Sequence, residues 1–456
     1  MWNITVTEKT ISIPIDIASL IRQVKESRGI FLFNNHSSGM NIVGLNPVVV
    51  IKDDSVRYGS RSVRIEDSLE AIDTIVAAQK GTGDDAVLMG YIAYDYKARL
   101  EEPGLYTDLR QALFPDLYFA LFEYYLLFQH SYQRVRLLQV TFPFTYEKLT
   151  IGEVVKHISM PLTFTEKEKH SFYSGTSLPK ASFEEAVRRT ISYIRAGDIY
   201  QANITRSIYG ETELDEVELG DRLYRSNRID CGVFASIEGK YVISTSPERF
   251  FRVDNGTILT SPIKGTIEKK KDPHQNKKNK KALLTSEKNL AELAMIVDLL
   301  RNDISKFCCE NTVRVSGFPM LKELDNVYHL VSDIEGKLMD NVRFGDMIKA
   351  MFPGGSITGC PKIRACQIIE EYEKEGRGIY TGSFGYVSFH GRMDFNIMIR
   401  SLFLYGTSFI FNVGGGITLL SDPCKEYEET IYKAKNIYDA ISLEEVWEER
   451  YCLTDK

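Results

Sequence analysis

The sequence predicts an α+β fold built on antiparallel sheets, and three observations predict it. Strand-like and helix-like segments alternate without a βαβ rhythm. The first third is dense in β-branched and aromatic residues. Glycines at Gly391 and Gly406 join the last strand candidates into a meander. With 456 residues, of which 43% are apolar and 11% aromatic, the chain can bury a large core. A net charge of −6 supplies no global basic field, which argues against nucleic acid as a partner and leaves small anions to a local site.

Taken in order, the segments FLFNN, NPVVVI, AVLMGYIAYDY, DLYFALFEYYLLF and YQRVRLLQVTF read as strands, because their residues suit a pleated, half-buried surface. The most apolar window, 112–128, is interrupted by Pro115, Asp116 and Glu123, and MWNITVTEKT lacks a basic segment followed by an apolar core. No membrane association is expected, and the expected compartment is cytoplasmic. Seven cysteines without CxxC or Cys/His spacing fit reduced thiols. A polar stretch at 165–178 marks a boundary between a β-rich region, 1–165, and a second region, 166–456.

Beyond it, 182–196 reads as a helix with Ser182 and Glu185 in capping-box spacing and a stop at Gly197. Strands are expected at 241–245, 257–261, 378–389, 394–404 and 409–413, and helices at 286–301, 343–351, 361–374 and 423–437. The basic run KKKDPHQNKKNKK, 269–281, is broken by Pro, Asn and Gln and reads as a mobile solvated loop.

Several residues could carry chemistry. Lys264 lies in PIKGT between backbone-restricting Pro262 and Gly265, after Glu248 of SPERF, so a turn-back would bring amine and acid together. A lysine attacks only when unprotonated, which requires burial or a cationic neighbour; otherwise it is a solvated charge. Pro423 opens a helix placing Glu426, Glu429 and Lys433 on one face, a spacing that also fits a salt-bridge stripe. Glu292 sits in the apolar helix NLAELAMIVDLLRND, where a carboxylate needs a partner. A cation shared by Glu292 and Glu429 would neutralise both, and oxygen donors favour Mg2+ over zinc. GGSITG, 354–359, and GGG, 414–416, read as turns able to cradle an anion or simply to bend the chain. Neither is a P-loop or a GxGxxG after a strand. Arg400, within FNIMIRSLFLY, is directed inward towards a carboxylate or a structural ion pair.

GDIYQANITR, SPERF, PIKGT, ELAMIVDLLRNDI, VYHLVS, FPGGSITGCPKIRACQIIEE, YTGSFGY, MDFNIMIRSL, GGGI and EYEETIYKA, in this order, closely resemble the chorismate-utilising enzymes, and among them the aminodeoxychorismate-forming branch. The resemblance is dense from Ser182 to Asn436 and loose before it. It implies a two-subdomain, anthranilate-synthase-like sandwich of antiparallel sheets with helices outside and the site between the sheets. Glu292 and Glu429 would be Mg2+ ligands, with Glu426 beside them. Arg400 and Tyr380 would hold the enolpyruvyl carboxylate with backbone at Gly414, Gly415 and Gly416, and Ser356 and Lys433 would line the pocket. His329 matches a histidine near the ring. Glu248 matches the acid that protonates the departing 4-hydroxyl, and Lys264 the nucleophile at C2. Anthranilate-forming relatives resemble PIAGT here. Isochorismate-forming relatives carry a water-activating lysine at the position of Gln201, so ammonia is the expected nucleophile. The sequence has no glutaminase motif and no segment for a lyase, so a separate glutamine amidotransferase subunit is the expected ammonia source. Asn289 departs from the acidic residue relatives often carry there, the loop after PIKGT is shorter and more basic than usual, and the LLES inhibitor motif is absent.

Overall fold

The computed structural model describes residues 4–443 except 13–14, 35–39, 80–85, 102–104, 106–112, 130–133, 144–150, 160–161, 163, 165–168, 227–228 and 324–326. The end of FLFNN, the start of YQRVRLLQVTF and the first residues of the polar boundary stretch lie outside the described residues. Every strand pairing is antiparallel, and the pairings link into one continuous ladder. The Leu117–Phe128 strand, LYFALFEYYLLF, is buried along its whole length because both faces are covered. No described helix is long and apolar enough to cross a membrane.

Strands from both parts of the chain share the sheet. Ile30–Phe33 pairs with Gly232–Ile237, and Val87–Ile92 pairs with Ser383–Ser388. Tyr91, Phe119, Phe251, Phe344 and Phe395 pack in one core that draws on both parts; a second core gathers Phe31, Phe128, Phe234, Phe411 and Tyr438, and a third Phe183, Ile204, Ile368 and Tyr427.

The structure departs from the sequence reading at several elements. The helix expected from 182 begins earlier, Lys180–Ala196, with Pro179 at its cap, so the Ser182/Glu185 pair lies inside it; Gly197 ends it at φ 85°, as its left-handed freedom suits. The basic run is largely a helix, Pro273–Leu284, because Asp272 accepts from His274 N at 2.9 Å and Pro273 occupies the first turn, a start signal rather than a break. Lys269 and Lys280 are pinned to Glu323 at 2.7 and 2.8 Å. The strand expected over 394–404 is interrupted: Met393–Asn396 and Ser401–Tyr405 flank an irregular stretch where Arg400 has φ 51°. The strand expected from 378 starts at Ser383, after a turn with Gly378 at φ 57° and Thr381 at φ 59°. GGG is no turn. It lies within the Ser408–Ile417 strand, opposite the Gln201–Thr212 strand.

One fully enclosed ion pair ties these parts together. Arg377 and Glu373 are about 5% and 6% exposed. Arg377 meets Glu373 Oε1 at 2.6 Å and Oε2 at 2.7 Å, and donates to Ile357 O at 2.9 Å and Asn203 O at 2.6 Å. Its guanidinium lies 4.5 Å from the Tyr94 ring centre, and Asp95 accepts from Gly378 N at 2.7 Å. Glu373 also accepts from Thr205 N and Oγ1. Removing one partner leaves a buried unpaired charge, so Glu373→Ala should lose about 3–5 kcal/mol. A reduced urea midpoint is expected, partly restored in Glu373→Met/Arg377→Met; a wild-type midpoint for the single variant would show that the pair does not join these segments.

Candidate active site

Lys264 owes its direction to its neighbour. The Ile263–Glu268 strand pairs with Val327–Lys337, and its register slips between Lys264 and Thr266, where Gly265 takes φ 71°. Such a bulge re-aims a side chain. A Cβ at Gly265 would lie 2.8 Å from Asn289 Nδ2 and 2.9 Å from Leu283 Cδ1, so glycine is required for space as well as for conformation. The Lys264 amine reaches Ser356 O at 3.4 Å. The residue is half-buried, and burial of the amine is the strongest influence on it. That burial and Lys433 drive its pKa below the ordinary lysine value, while Glu292, Glu248 and Glu429 oppose them.

Glu248 comes from the strand end beside the irregular 397–400 stretch. Its carbonyl accepts from Ile397 N at 3.0 Å, and its N–H donates to Ser246 Oγ at 3.3 Å. Burial raises its carboxyl above the usual range against the pull of the Ser356 hydroxyl, Lys264, Lys433 and Arg400. That favours the protonated acid. Arg400, half-buried, forms no side-chain hydrogen bond or ion pair among the described residues; burial lowers its pKa, and Glu248 opposes. His329 is 2% exposed and hydrogen-bonded through Nδ1 to Thr266 Oγ1 at 2.8 Å, while Nε2 has no partner. Burial, with Arg400 and Lys322 nearby, pushes it down to about 4, so it is neutral near pH 7.

The carboxylates gather around Gly415. A Cβ there would stand 3.2 Å from Glu426 Oε2, 3.6 Å from Lys433 Nζ and 4.0 Å from Glu429 Oε1. Both glutamates sit on the Pro423–Ala440 helix, whose cap Asp422 accepts from Lys425 N at 3.0 Å. Lys433 bonds Glu429 at 2.8 Å and Gly414 O at 2.9 Å. Burial works against ionisation of Glu429, but Lys433, Lys288 and Lys264 overcome it and hold the carboxyl below its usual range. Glu292, on the Glu287–Ser305 helix, is buried with Oε1 unpartnered, and burial raises its carboxyl. Lys288 stands 3.4 Å from Glu426 and 4.0 Å from Glu292.

Among the described residues no three metal-type side chains are drawn to coordination spacing, because lysines stand between the glutamates. The donor set nevertheless fits a hard cation: Glu292 Oε1 has no hydrogen bond among the described residues, only Lys288 at 4.0 Å, and the donors are carboxylate oxygens. On the other side of this strand end, Gln201 is fully buried, and a Cβ at Gly416 would lie 2.7 Å from its Nε2 and 3.5 Å from Lys264 Nζ. Ser356 lies in the Gly355–Ile357 turn beside Glu248 and Lys264.

Contacts thus link Lys264, Glu248, Ser356, Gln201, Lys433, Glu292, Glu426 and Glu429, with His329 one strand away from Lys264. Tyr380 is buried beside Arg377 and Glu373 and has no hydrogen bond to Arg400 or Lys264 among the described residues. Sequence reasoning missed Lys288, although its spacing to Glu292 is readable as a helical i,i+4 pair. It also missed Arg377, whose partners are distant in sequence.

The chain matches the chorismate binding enzyme family over residues 28–439. It belongs to that family. It is 34% identical over 351 residues to aminodeoxychorismate synthase component 1 of Salmonella typhimurium, covering 76% of this chain and 75% of the relative. It is 33% identical over 373 residues to anthranilate synthase component 1 of Aquifex aeolicus, covering 78% and 74%. Its fold matches the crystal structure of anthranilate synthase component I from Streptococcus pneumoniae with TM-score 0.76, at 26% identity over 88% of this chain and 93% of that one. The menaquinone-specific isochorismate synthase of Escherichia coli shares the fold with TM-score 0.75 at 17% identity, covering 96% and 95%. The architecture is therefore that of anthranilate synthase component I, and the chain is an enzyme that uses chorismate.

A lowered pKa makes a definite expectation for Lys264. Its modification by an amine-reactive reagent, followed by mass spectrometry across pH, should reach half its limiting rate below the usual lysine value of about 10.4. A midpoint at or above that value would show an amine held charged.

Proposed function

We propose that this protein is the synthase component of aminodeoxychorismate synthase, converting chorismate and ammonia to 4-amino-4-deoxychorismate for para-aminobenzoate and folate synthesis. The observation that carries the reading is the Lys264 amine, aimed by the Gly265 bulge into the site with its pKa lowered and the raised-pKa acid Glu248 close by. Three of the matched relatives are named aminodeoxychorismate synthase component 1. Anthranilate synthase component I is the second reading, because such relatives match at comparable identity. The resemblance places alanine where this chain has Lys264, and that difference favours the first.

Lys264 Nζ attacks C2 of the ring as both double bonds of the ring diene shift and the C4–O bond breaks. Glu248 gives its proton to the departing hydroxyl, which leaves as water. Ammonia then adds at C4, both ring double bonds return, the C2–N bond to Lys264 breaks, and the proton shed by the added nitrogen restores Glu248. The sum is chorismate plus ammonia giving aminodeoxychorismate plus water. Arg400, without an ion-pair partner among the described residues, suits the enolpyruvyl carboxylate, with Tyr380 and the backbone at Gly414 to Gly416 assisting; neutral His329 flanks the ring. Glu292 and Glu429, with Glu426, would hold Mg2+, which when bound supplies positive charge for the ring carboxylate. Lys288 and Lys433 neutralise these glutamates otherwise. A separate glutamine amidotransferase subunit supplies ammonia, in keeping with relatives named as components. No disulfide joins the described cysteines, which suits a reducing, cytoplasmic setting.

Purified protein given chorismate, an ammonium salt and Mg2+ should form a product that added lyase converts to para-aminobenzoate; fluorescent anthranilate instead would establish the second reading. Lys264→Ala should lose most of this turnover while still binding chorismate, and unchanged turnover would remove the covalent route. Glu248→Gln should lower kcat by about 10²–10⁴-fold, the usual worth of a positioned acid. Glu429→Gln should raise the Mg2+ concentration needed for half-activity by at least about tenfold, and wild-type metal dependence would refute its role.

A further inference from the structure

Beside Lys264 the structure leaves a set of buried polar atoms without partners, and their chemistry is specific. Gln201 is fully buried, yet neither Oε1 nor Nε2 has a hydrogen-bond partner; Thr418, 7% exposed, has an unpartnered Oγ1, and half-buried Asn203 an unpartnered Oδ1. Buried polar groups are nearly always paired, so orphans gathered in one place mark a missing ligand. The strand register gathers them. Asn203 lies opposite Gly416 and Ala202 opposite Ile417, so the side chain of Asn203 shares the face of Gly416. Gln201, two residues before Asn203, lies on that face, and Thr418, two residues after Gly416, continues it. A Cβ at Gly416 would lie 2.7 Å from Gln201 Nε2 and 3.5 Å from Lys264 Nζ, so the missing side chain lets the Gln201 amide lie against this strand beside Lys264.

We infer that Gln201, Asn203 and Thr418 form the binding place of the ammonia molecule, an inference that rests on the function proposed above. Three oxygens, Gln201 Oε1, Asn203 Oδ1 and Thr418 Oγ1, can accept the three N–H bonds of ammonia, whereas water donates only two. None of the three is a carboxylate, so the set offers no negative charge to hold the ammonium cation, and three acceptors suit the neutral nucleophile. Gln201 Nε2, the donor of the amide, is left to face the ring substrate. Ammonia held here stands beside Lys264, whose bond to C2 breaks as ammonia adds at C4.

The test is steady-state kinetics of the full chain, following loss of chorismate while an ammonium salt is varied at fixed pH, so that the readout does not depend on which aminated product forms. Thr418→Val and Asn203→Leu should each raise the KM for ammonia about three- to tenfold, the worth of one hydrogen bond, with the chorismate KM within about twofold. Thr418→Ser should restore it. Because Thr418 Oγ1 has no hydrogen-bond partner among the described residues, Thr418→Val should melt no lower than wild type, so the decision rests on this variant if Asn203→Leu fails to fold. A raised chorismate KM with an unchanged ammonia KM would assign the cluster to the ring substrate and overturn the inference. A lowered melting temperature with both constants unchanged would make the cluster structural and overturn it equally. Wild-type consumption of chorismate without ammonia would sink the nitrogen-transfer reading of the whole site, whereas an ammonia-dependent wild type with unaffected variants removes this subsite alone.

Discussion

A primary amine can serve as a nucleophile at neutral pH only if its surroundings oppose the proton, and the centre of this protein is arranged around that contest. Burial of Lys264 works against charge, while Glu292 and Glu248 pull towards it. The outcome depends on how much negative charge those glutamates express. Glu248 is itself pushed towards its neutral form by burial, and Lys288 and Lys433 draw on Glu426, Glu292 and Glu429. The same withdrawal from water therefore prepares both a free base and a proton donor, the pairing that addition with loss of a hydroxyl requires.

Positioning falls to groups that never reach substrate. The Arg377 guanidinium holds the carbonyl of Ile357, the residue after Ser356, and that of Asn203, two residues after Gln201. It thus sets the spacing between two walls of the site, while its stacking on Tyr94 fixes both walls to the first part of the chain. A guanidinium suits this work, since its planar fork serves several acceptors at once and stays charged when buried.

The long helices at 182–196, 286–301 and 423–437 were legible because apolar periodicity and cap residues act locally, Gly197 and Asp422 with Pro423 being examples. The Gln201–Thr212, Arg314–Glu323 and Val327–Lys337 strands, mixed in polarity, were not read. Errors arose where tertiary contacts override local preference. Arg400 and Thr381 adopt left-handed backbone that their side chains do not announce, and so broke two strands that pattern alone made continuous. The glycines at 414–416 read as a turn, yet they form a strand whose missing side chains make way for Gln201, Lys433 and the glutamates. In the site, PIKGT and SPERF pointed to Lys264 and Glu248, and the spacing of Glu426, Glu429 and Lys433 placed them together. The unpaired state of the Gln201 amide and the clamp around Arg377 follow from strand register between distant segments, which no local window contains.

The pairing of Ile30–Phe33 with Gly232–Ile237 bears on how the molecule comes into being. During synthesis the early strand emerges long before its neighbour, and its apolar edge must wait, unpaired, while the intervening chain leaves the ribosome. Contacts this remote in sequence are slow to close, and exposed strand edges in the interval invite association between nascent chains. Yield in a heterologous host should therefore be governed by chaperone capacity and growth temperature more than by the strength of the finished core.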